Sequence, residues 1–237
     1  MSHERTRRLV GSQVSTRPQS QVLPSSPRDA YGLLLTALRE PNPVMFLMPK
    51  ALLRVKARPG EELPGEPADD KLLNKMIDAP LGDRSKWRPD WPAVADYFVE
   101  IGKASVARAG KHVSVITYGR NVHNALGAAE DVAKEGIDVE VLDLRSLHPY
   151  DWDAIVASVK KTNRVLFLNE DTEITNFGEH LLRRTVEELF YELHAPPRLL
   201  AGAHIPGIGL ADNLEHASVP QRATVAAALR ELAAHVP

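Results

Sequence analysis

Polar residues that could do chemistry follow three predicted strands. These groups are Tyr118-Gly119-Arg120, Asp143 to Arg145 and Asn169-Glu170-Asp171, and each lies at the end of a run that is rich in apolar residues. In an open sheet of parallel strands, ligands bind outside the carboxyl ends of the strands, and these three groups would lie at that edge. This edge of the sheet is therefore the first place to look for a site.

Glu170 and Asp171 are the candidate acid and base, because a pair of carboxyl groups can divide proton donation and acceptance between them. Adjacent residues of a strand point to opposite faces of the sheet, so the two side chains are not expected to share one site. We expect them instead to cap the following segment or to pair with Arg183 or Arg184. With Asn at position 169, no group there titrates near neutral pH. The sequence thus predicts no catalytic residue.

Other motifs of cofactor chemistry are incomplete. Gly119 precedes a predicted helix, but the second and third glycines of a dinucleotide-binding fingerprint are missing. His194 and His204 lack the spacing and the third ligand of a zinc site. The chain has no cysteine, which excludes disulfides, thiolate metal ligands and a cysteine nucleophile. No cofactor-binding residue is predicted, and the apolar loop 204–210 is expected to form a protein interface.

Alternating strands and helices must position these residues. Hydrophobic periodicity predicts strands at 113–117, 139–144, 165–168 and 198–203, and helices between Gly119 and Gly136, around 152–159, at 177–193 and at 220–234. Strands that alternate with helices of this length form right-handed crossovers and a mostly parallel sheet covered on both faces. The predicted fold class is a doubly wound α/β domain.

The first part of the chain predicts a smaller α/β unit. Ser26 is a candidate N-cap, Pro27 fits the first helical position and Asp29 lies in the first turn, so a helix should follow. Its apolar face is predicted at Ala30, Leu34, Ala37 and Leu38. A short strand is predicted at 21–23, and the apolar run 44–48 is interpreted as a buried strand. Residues 57–100 contain six prolines and form a predicted linker.

Composition narrows the function classes. The 237 residues are 43% hydrophobic and 25% charged, and no apolar run reaches the roughly 18 residues of a membrane span. The 29 basic and 31 acidic residues give no broad basic surface, so nucleic acid is not an expected partner. Residues 1–21 are rich in Arg, Ser and Gln without an apolar core, which predicts a disordered or divergent N-terminus. The expected location is the cytoplasm, with an organellar matrix as the alternative.

A family resemblance rests on motifs between residues 102 and 171. The motifs are Gly102-Lys103, Thr117-Tyr118-Gly119, Asp143-Leu144-Arg145, His148-Pro149 with Asp151, and Glu170-Asp171. This stretch resembles the transketolase C-terminal domain of the β subunit, or of the β half of a fused αβ chain, in thiamine-diphosphate-dependent 2-oxo acid dehydrogenase E1 components. Residues 22–54 resemble the end of the pyrimidine-binding domain of the same subunit.

The resemblance implies a domain organisation. Residues 1–21 would be divergent, 22–56 a remnant of the pyrimidine-binding α/β domain, 57–100 a Pro-rich linker and 101–237 the transketolase C-terminal domain. The glutamate that activates the cofactor in this family, and the aromatic residue that packs on its pyrimidine ring, have no counterpart here. The chain therefore resembles an N-terminally truncated member.

The resemblance also implies a function and partners. The complete enzyme would decarboxylate a 2-oxo acid oxidatively and acylate a lipoyl group, using thiamine diphosphate and Mg²⁺. The chain lacks the Gly-Asp-Gly and distant Asn-Asn that hold the diphosphate through a metal ion. The cofactor is therefore not expected on this chain alone, which would be inactive by itself. The implied partners are E1 α- and β-type chains, in a homo- or hetero-oligomer, and the lipoyl acyltransferase E2 core.

One family site maps onto residues that the chain retains. A monovalent-cation site, for K⁺, would fall on Ala37, Leu38, Glu40 and Asn42, using mostly backbone carbonyl oxygens. Hard cations need several oxygen ligands together, and the others come from regions without a counterpart here. An ordinary helix C-terminus without an ion is the alternative interpretation.

Two other functions stay open. The chain could be a non-catalytic assembly or interaction module that holds subunits together without turning over a substrate. It could also belong to another transketolase-like enzyme, such as a transketolase or a deoxyxylulose-phosphate synthase.

Overall fold

A computed structural model describes residues 19–63, 65–66, 69, 71–72, 95–209 and 211–236. Its strands are β1 Ser20–Val22, β2 Val44–Phe46, β3 Ser105–Arg108, β4 Val113–Thr117, β5 Val139–Asp143, β6 Ser146–His148, β7 Val165–Thr172 and β8 Arg198–Gly202. Its α-helices are α1 Pro27–Arg39, α2 Arg120–Ala133, α3 Trp152–Thr162, α4 Phe177–Leu189, α5 Asp212–Ser218 and α6 Arg222–Ala234. Short 3₁₀ turns cover Lys50–Arg54 and Phe190–Glu192.

The larger sheet has the strand order β3-β5-β4-β7-β8. Strands β5, β4, β7 and β8 run parallel, whereas β3 pairs antiparallel with β5 at one edge. All five residues of β4 and of β5 are buried, as expected for strands covered on both faces. The predicted fold class, a mostly parallel doubly wound sheet, is confirmed. The edge strand β3 was not predicted.

Helices cover the two faces of this sheet in pairs. Helices α2 and α6 pack on one face through Val122, Leu126 and Leu229. Helices α3 and α4 pack on the other face through Ile155, Val159 and Leu181. Burial of each such side chain contributes roughly 1.5–3 kcal/mol, so these two layers hold most of the stability of the domain.

A second, three-stranded sheet joins the N-terminal segment to the larger domain. Strand β1 pairs parallel with β2 and antiparallel with β6, which follows β5 in the larger domain. The predicted buried strand 44–48 is shorter than expected and lies at an edge, where Met45 is 41% exposed. The apolar run was misread because an edge strand is covered on one side only.

Helix α1 begins as predicted but buries another face. The Ser26 side chain accepts a hydrogen bond from the Asp29 N–H at 3.1 Å and caps the helix. The buried residues are Gly32 and Leu33, while Leu34 and Leu38 of the predicted apolar face are exposed. A Cβ on Gly32 would lie 2.6 Å from Val99, so close packing against the last residues of the predicted linker selects this face.

Parts of the predicted architecture lie outside the described residues. These parts are residues 1–18 of the predicted divergent N-terminus and most of the linker 57–100. Ser20 and Gln21, which the sequence assigned to the divergent segment, belong to β1. In the described chain, no helix combines the length and apolar character needed to cross a bilayer.

Candidate functional site

A cavity of about 940 Å³ lies where the segment after β2 faces the carboxyl ends of β4 and β7. These two strands flank the position where successive crossovers leave in opposite directions, the usual ligand position in an open α/β sheet. One wall is apolar and the other carries charged and phenolic groups. The lining residues are Leu23, Leu47, Met48, Pro49, Lys50, Ala51, Leu53, Tyr118, Arg120, Leu147, Glu170, Asp171 and Glu215.

Tyr118 lines the polar wall of the cavity, and its hydroxyl group contacts Asn169. The Tyr118 hydroxyl donates a hydrogen bond to Asn169 Oδ1, and Asn169 is buried. Burial, with smaller contributions from Asp171 and Glu170, raises the pKa of Tyr118 well above its ordinary value. The phenol therefore stays neutral over the physiological range and serves as a fixed donor rather than a base.

Arg120 organises the carboxylates of the polar wall. Its Nη1 lies 3.3 Å from Glu215 Oε1 and 4.0 Å from Glu170 Oε1. The expected pairing of Glu170 or Asp171 with Arg183 or Arg184 is wrong. Those two arginines pair within α4, with Glu187 and Glu188, four residues further along the same helix face.

Glu170 and Asp171 line the same cavity, contrary to the expectation from strand geometry. The pairing of β7 with β8 is irregular between Leu168 and Thr172, so the simple alternation of side chains does not hold there. Asp171 Oδ1 accepts the Thr172 N–H at 2.8 Å. The cavity thus offers three carboxylates, from Glu170, Asp171 and Glu215, against the cations of Arg120 and Lys50.

Gly119 is explained by packing rather than by phosphate recognition. It precedes α2 with φ +58°, a conformation that favours glycine. A Cβ at this position would lie 2.1 Å from Leu23 Cδ2. The glycine therefore lets the N-terminal segment approach the turn between β4 and α2.

A buried carboxyl group joins the N-terminal segment to the larger domain, and sequence reasoning missed this role. Asp143, at the end of β5, accepts hydrogen bonds from Ser25 Oγ at 2.5 Å and from the Arg145 N–H at 2.9 Å. The Arg145 side chain pairs with Asp29 Oδ1 at 2.9 Å. Ser25 directly precedes the predicted N-cap, but nothing local links it to a strand more than a hundred residues later.

The residues proposed for a monovalent cation lie together at the end of α1. The Ala37 carbonyl accepts the Glu40 N–H at 3.3 Å, and Asn42 Nδ2 donates to Glu40 Oε1 at 2.7 Å. Leu38 is exposed on the same turn. A carbonyl oxygen carries two lone pairs, so the Ala37 carbonyl can accept this hydrogen bond and still offer a lone pair to a cation. The K⁺ site stays a prediction.

Metal-binding side chains are not clustered in the part of the chain that the structure describes. No group of three or more His, Asp or Glu residues is arranged to hold a metal ion there.

The loop at 204–209 is exposed at Ile205 and Ile208, while Leu210 of the predicted apolar loop lies outside the described residues.

Comparisons with known proteins identify relatives over nearly the whole chain. A family model described as "Transketolase, C-terminal domain" matches residues 102–225. The chain is 37% identical over 213 residues to the 2-oxoisovalerate dehydrogenase subunit beta of Bacillus subtilis, covering 90% of this chain and 55% of that protein. It is 38% identical to the mitochondrial pyruvate dehydrogenase E1 component subunit beta-2 of Oryza sativa, covering 84% of this chain and 45% of that protein.

A third curated relative acts on another substrate according to its name. It is the acetoin:2,6-dichlorophenolindophenol oxidoreductase subunit beta of Cupriavidus necator, 31% identical over 89% of this chain and 52% of its own length. The chain thus spans about half the length of the curated relatives it matches. The names of the first two relatives confirm the predicted resemblance to E1 β subunits.

A solved structure supports the fold. The structure titled "Split gene transketolase, inactive beta4 tetramer" aligns with a TM-score of 0.64 at 19% identity, over 92% of this chain and 59% of that one. At this identity the likeness concerns the fold alone.

Proposed function

The chain belongs to the transketolase C-terminal domain family, and we propose that it is the C-terminal part of a β-type subunit of a 2-oxo acid dehydrogenase E1 component. The observation that carries the proposal is the 37% identity to a 2-oxoisovalerate dehydrogenase β subunit over 213 residues. This similarity extends well beyond residues 102–225 into the N-terminal segment. The two parts of the chain therefore resemble neighbouring parts of one subunit.

In this proposal the chain contributes assembly and docking to an enzyme that decarboxylates a 2-oxo acid and acylates a lipoyl group on a partner. The implied partners are E1 α- and β-type chains and the lipoyl acyltransferase E2 core. Support comes from neighbouring apolar side chains exposed on and beside the loop 204–209, namely Ile205 at 44%, Ile208 at 55% and Leu214 at 54%. Exposed apolar groups of this kind favour a protein interface.

We propose that the chain alone does not hold thiamine diphosphate. The diphosphate end of this cofactor requires a metal ion and positive groups, whereas the 940 Å³ cavity carries three carboxylates against one arginine and one lysine. The described residues also lack a cluster for a divalent metal ion. These residues do not fit the diphosphate end, so thiamine diphosphate and Mg²⁺ belong to the complete enzyme.

A monovalent cation at Ala37, Leu38, Glu40 and Asn42 remains part of the proposal. The location proposed for the assembled enzyme is the cytoplasm or an organellar matrix, which matches relatives of bacterial and mitochondrial origin.

Assembly with an E1 α-type subunit tests the proposal. Sedimentation velocity of the chain mixed with an E1 α-type subunit from the same source organism should reveal a complex heavier than either component. Ile208→Asp places a charge on the exposed loop and should weaken the complex at least about tenfold, because an unpaired charge in an interface is costly.

Lys111→Asp is the control that introduces the same side chain elsewhere. Lys111 is exposed just before β4, at the amino ends of the parallel strands and away from the loop 204–209, so this variant should assemble like the wild type. The proposed role would be contradicted if the two wild-type proteins sedimented independently at all concentrations up to about 50 μM. That concentration is well above the dissociation constants of stable complexes.

A second candidate is supported by the similarity to the acetoin oxidoreductase β subunit. The same chain would then serve an enzyme that acts on acetoin. Turnover of acetoin rather than a 2-oxo acid by the reconstituted enzyme distinguishes the two. Transfer of a ketol group between sugar phosphates would instead favour the transketolase alternative, and assembly without turnover would favour a non-catalytic module.

A further inference from the structure

The contact between residues 20–56 and the larger domain, here called the seam, is bordered by clefts that open to solvent. The clefts have volumes of about 940, 320 and 240 Å³, and the smallest is lined by residues 24–56 and His123. The two parts do not touch where the clefts lie, so the seam is held by narrow strips of contact between them. Such contacts are the ones that open most readily.

Strand pairing, apolar contacts and one polar cluster make up these strips. Strand β1 pairs with β6, and the Leu23 N–H donates to the Arg145 carbonyl at 2.8 Å. Apolar contacts include Leu23 against Gly119 and the packing of Ile101 on the cluster around Val22. The polar cluster consists of Ser25 bonded to Asp143 and of Asp29 bonded to Arg145. Among these contacts, the one that can change with pH involves a carboxyl group that is 2% exposed.

The environment of Asp143 favours its neutral form. Within the described chain, its carboxyl group is bonded by Ser25 Oγ and the Arg145 N–H, which are both uncharged donors. The Arg145 guanidinium is committed to Asp29 and to the Lys103 carbonyl. Desolvation of the buried carboxylate outweighs the smaller electrostatic contribution of the Arg145 guanidinium. Burial raises the pKa of Asp143 to about 7, although the bonds from Ser25 and Arg145 act in the opposite direction.

Several other charged or titratable groups face the same cluster. Helix α1 contributes Arg28 and Asp29, and the residues around the 320 Å³ cavity include Glu61, Tyr97 and Arg145. From α2, His123 Nε2 donates to the Ser25 carbonyl at 2.8 Å. Histidine is the side-chain type with an ordinary pKa near neutrality, so the test must separate the effect of His123 from that of Asp143.

We propose that the Asp143 carboxyl group is a pH-sensitive latch that holds residues 20–56 over the 940 Å³ cavity. The neutral group hydrogen-bonds Ser25 without a desolvation penalty, so the seam is closed. The ionised group is a buried charge that is relieved when the seam opens and water reaches it. Opening also uncovers Tyr118 and Glu170 on the polar wall of the cavity. The latch does not depend on which enzyme the chain serves.

The direction of the pH effect follows from the two states. The pKa of Asp143 is about 7 in the closed seam and near its ordinary value of 3.8 once the group is hydrated. The closed state therefore binds more protons between these values, and the contribution of Asp143 to the stability of the seam is fully present below about pH 4. The opening equilibrium rises up to about tenfold per pH unit as the pH increases toward 7, then levels off.

Hydrogen exchange measured by NMR tests the latch on the whole chain. After correction for intrinsic rates, the protection of the Leu23 amide should fall up to about tenfold per pH unit between pH 5 and 7. Protection of Val115, in the centre of β4, should change far less. Asp143→Asn imitates the neutral carboxyl group and should make the Leu23 protection independent of pH. His123→Gln and Asp153→Asn, which alter a neighbouring histidine and an exposed carboxylate of α3, should keep the wild-type pH dependence.

Carboxyl ¹³C chemical shifts of the wild-type chain provide a second measurement that needs no variant. Asp143 should titrate near pH 7, well above the ordinary aspartate value of 3.8. A pH-independent Leu23 amide in the wild type, or Asp143 titration near its ordinary value, would overturn the latch. Loss of the pH dependence in His123→Gln would assign it to the histidine instead.

Discussion

Glu140 is a charged residue inside the parallel sheet. It is 1% exposed in β5, accepts a hydrogen bond from Ser158 Oγ at 2.6 Å and pairs with Lys161 of α3. Ser114, directly opposite in β4, extends the network to Ser158 at 2.7 Å. A buried carboxylate with a partner and a hydroxyl donor is tolerated, whereas the same group without its cation is costly.

Removal of the Lys161 charge tests whether this lysine compensates the buried Glu140 carboxylate. Lys161→Met should lower the free energy of unfolding by about 2 kcal/mol, less than for a fully buried pair because Lys161 is 45% exposed. Lys160→Met is the matched control, since its pair with Glu192 is exposed on both sides and should cost less than about 1 kcal/mol. Urea denaturation measures both values, and equal losses would contradict the buried-pair interpretation.

At this scale the sequence was informative where the chemistry is local. Ser26 caps α1 as its position predicted, because a cap bonds within three residues, and Asp151 caps α3 in the same way. The partners of Asp143, Glu140 and Glu170 come from elements far away in sequence. No local pattern specifies those distances, so the buried bond from Ser25 was missed and the pairing of Glu170 was wrong.

Among the elements, the turn between β4 and α2 shows how the two parts of the chain fit together. Gly119 has a positive φ, and Leu23 occupies the space where its Cβ would lie. Gly136, beyond the end of α2, also has a positive φ of +82°, but a Cβ there would meet no described atom within 4 Å. A side chain at Gly136 would therefore meet backbone strain alone, whereas a side chain at Gly119 would meet both backbone strain and a steric clash.

Alanine substitutions at these two glycines should lower the free energy of unfolding by different amounts. Gly136→Ala should destabilise the chain by about 1 kcal/mol through backbone strain alone. Gly119→Ala should cost at least about 2 kcal/mol and should also reduce protection of the Leu23 amide, because the added methyl group displaces the N-terminal segment. Thermal or chemical denaturation with hydrogen exchange measures both effects, and equal costs with an unchanged Leu23 amide would contradict the packing account.

Elements with strong periodicity were predicted well, and elements defined by pairing were not. Strand β4 has the predicted bounds, and the last helix starts within two residues of its predicted start. Strands β3 and β6 were missed because each has only three or four residues and is formed by its partner strand. The buried face of α1 was misassigned since its contact is made through Gly32, which carries no hydrophobic signal.

For the whole molecule, alternation of strands and helices was enough to predict the doubly wound sheet. The three-stranded sheet that ties residues 20–46 to β6 was beyond sequence reasoning, because its register depends on a contact over more than a hundred residues. The same holds for the 940 Å³ cavity, which exists only where the two parts meet. The proposed function rests on the family resemblance. The expectation that no diphosphate binds in the cavity rests on the residues that line it.

Calorimetric titration with thiamine diphosphate and Mg²⁺ tests the central claim most directly. The chain alone should give no binding heat beyond dilution, because the cavity carries an excess of carboxylates and the described chain lacks a metal cluster. The chain assembled with an E1 α-type subunit and a complete β-type chain should bind the cofactor. Stoichiometric binding to the chain alone, with a dissociation constant in the micromolar range, would contradict the account.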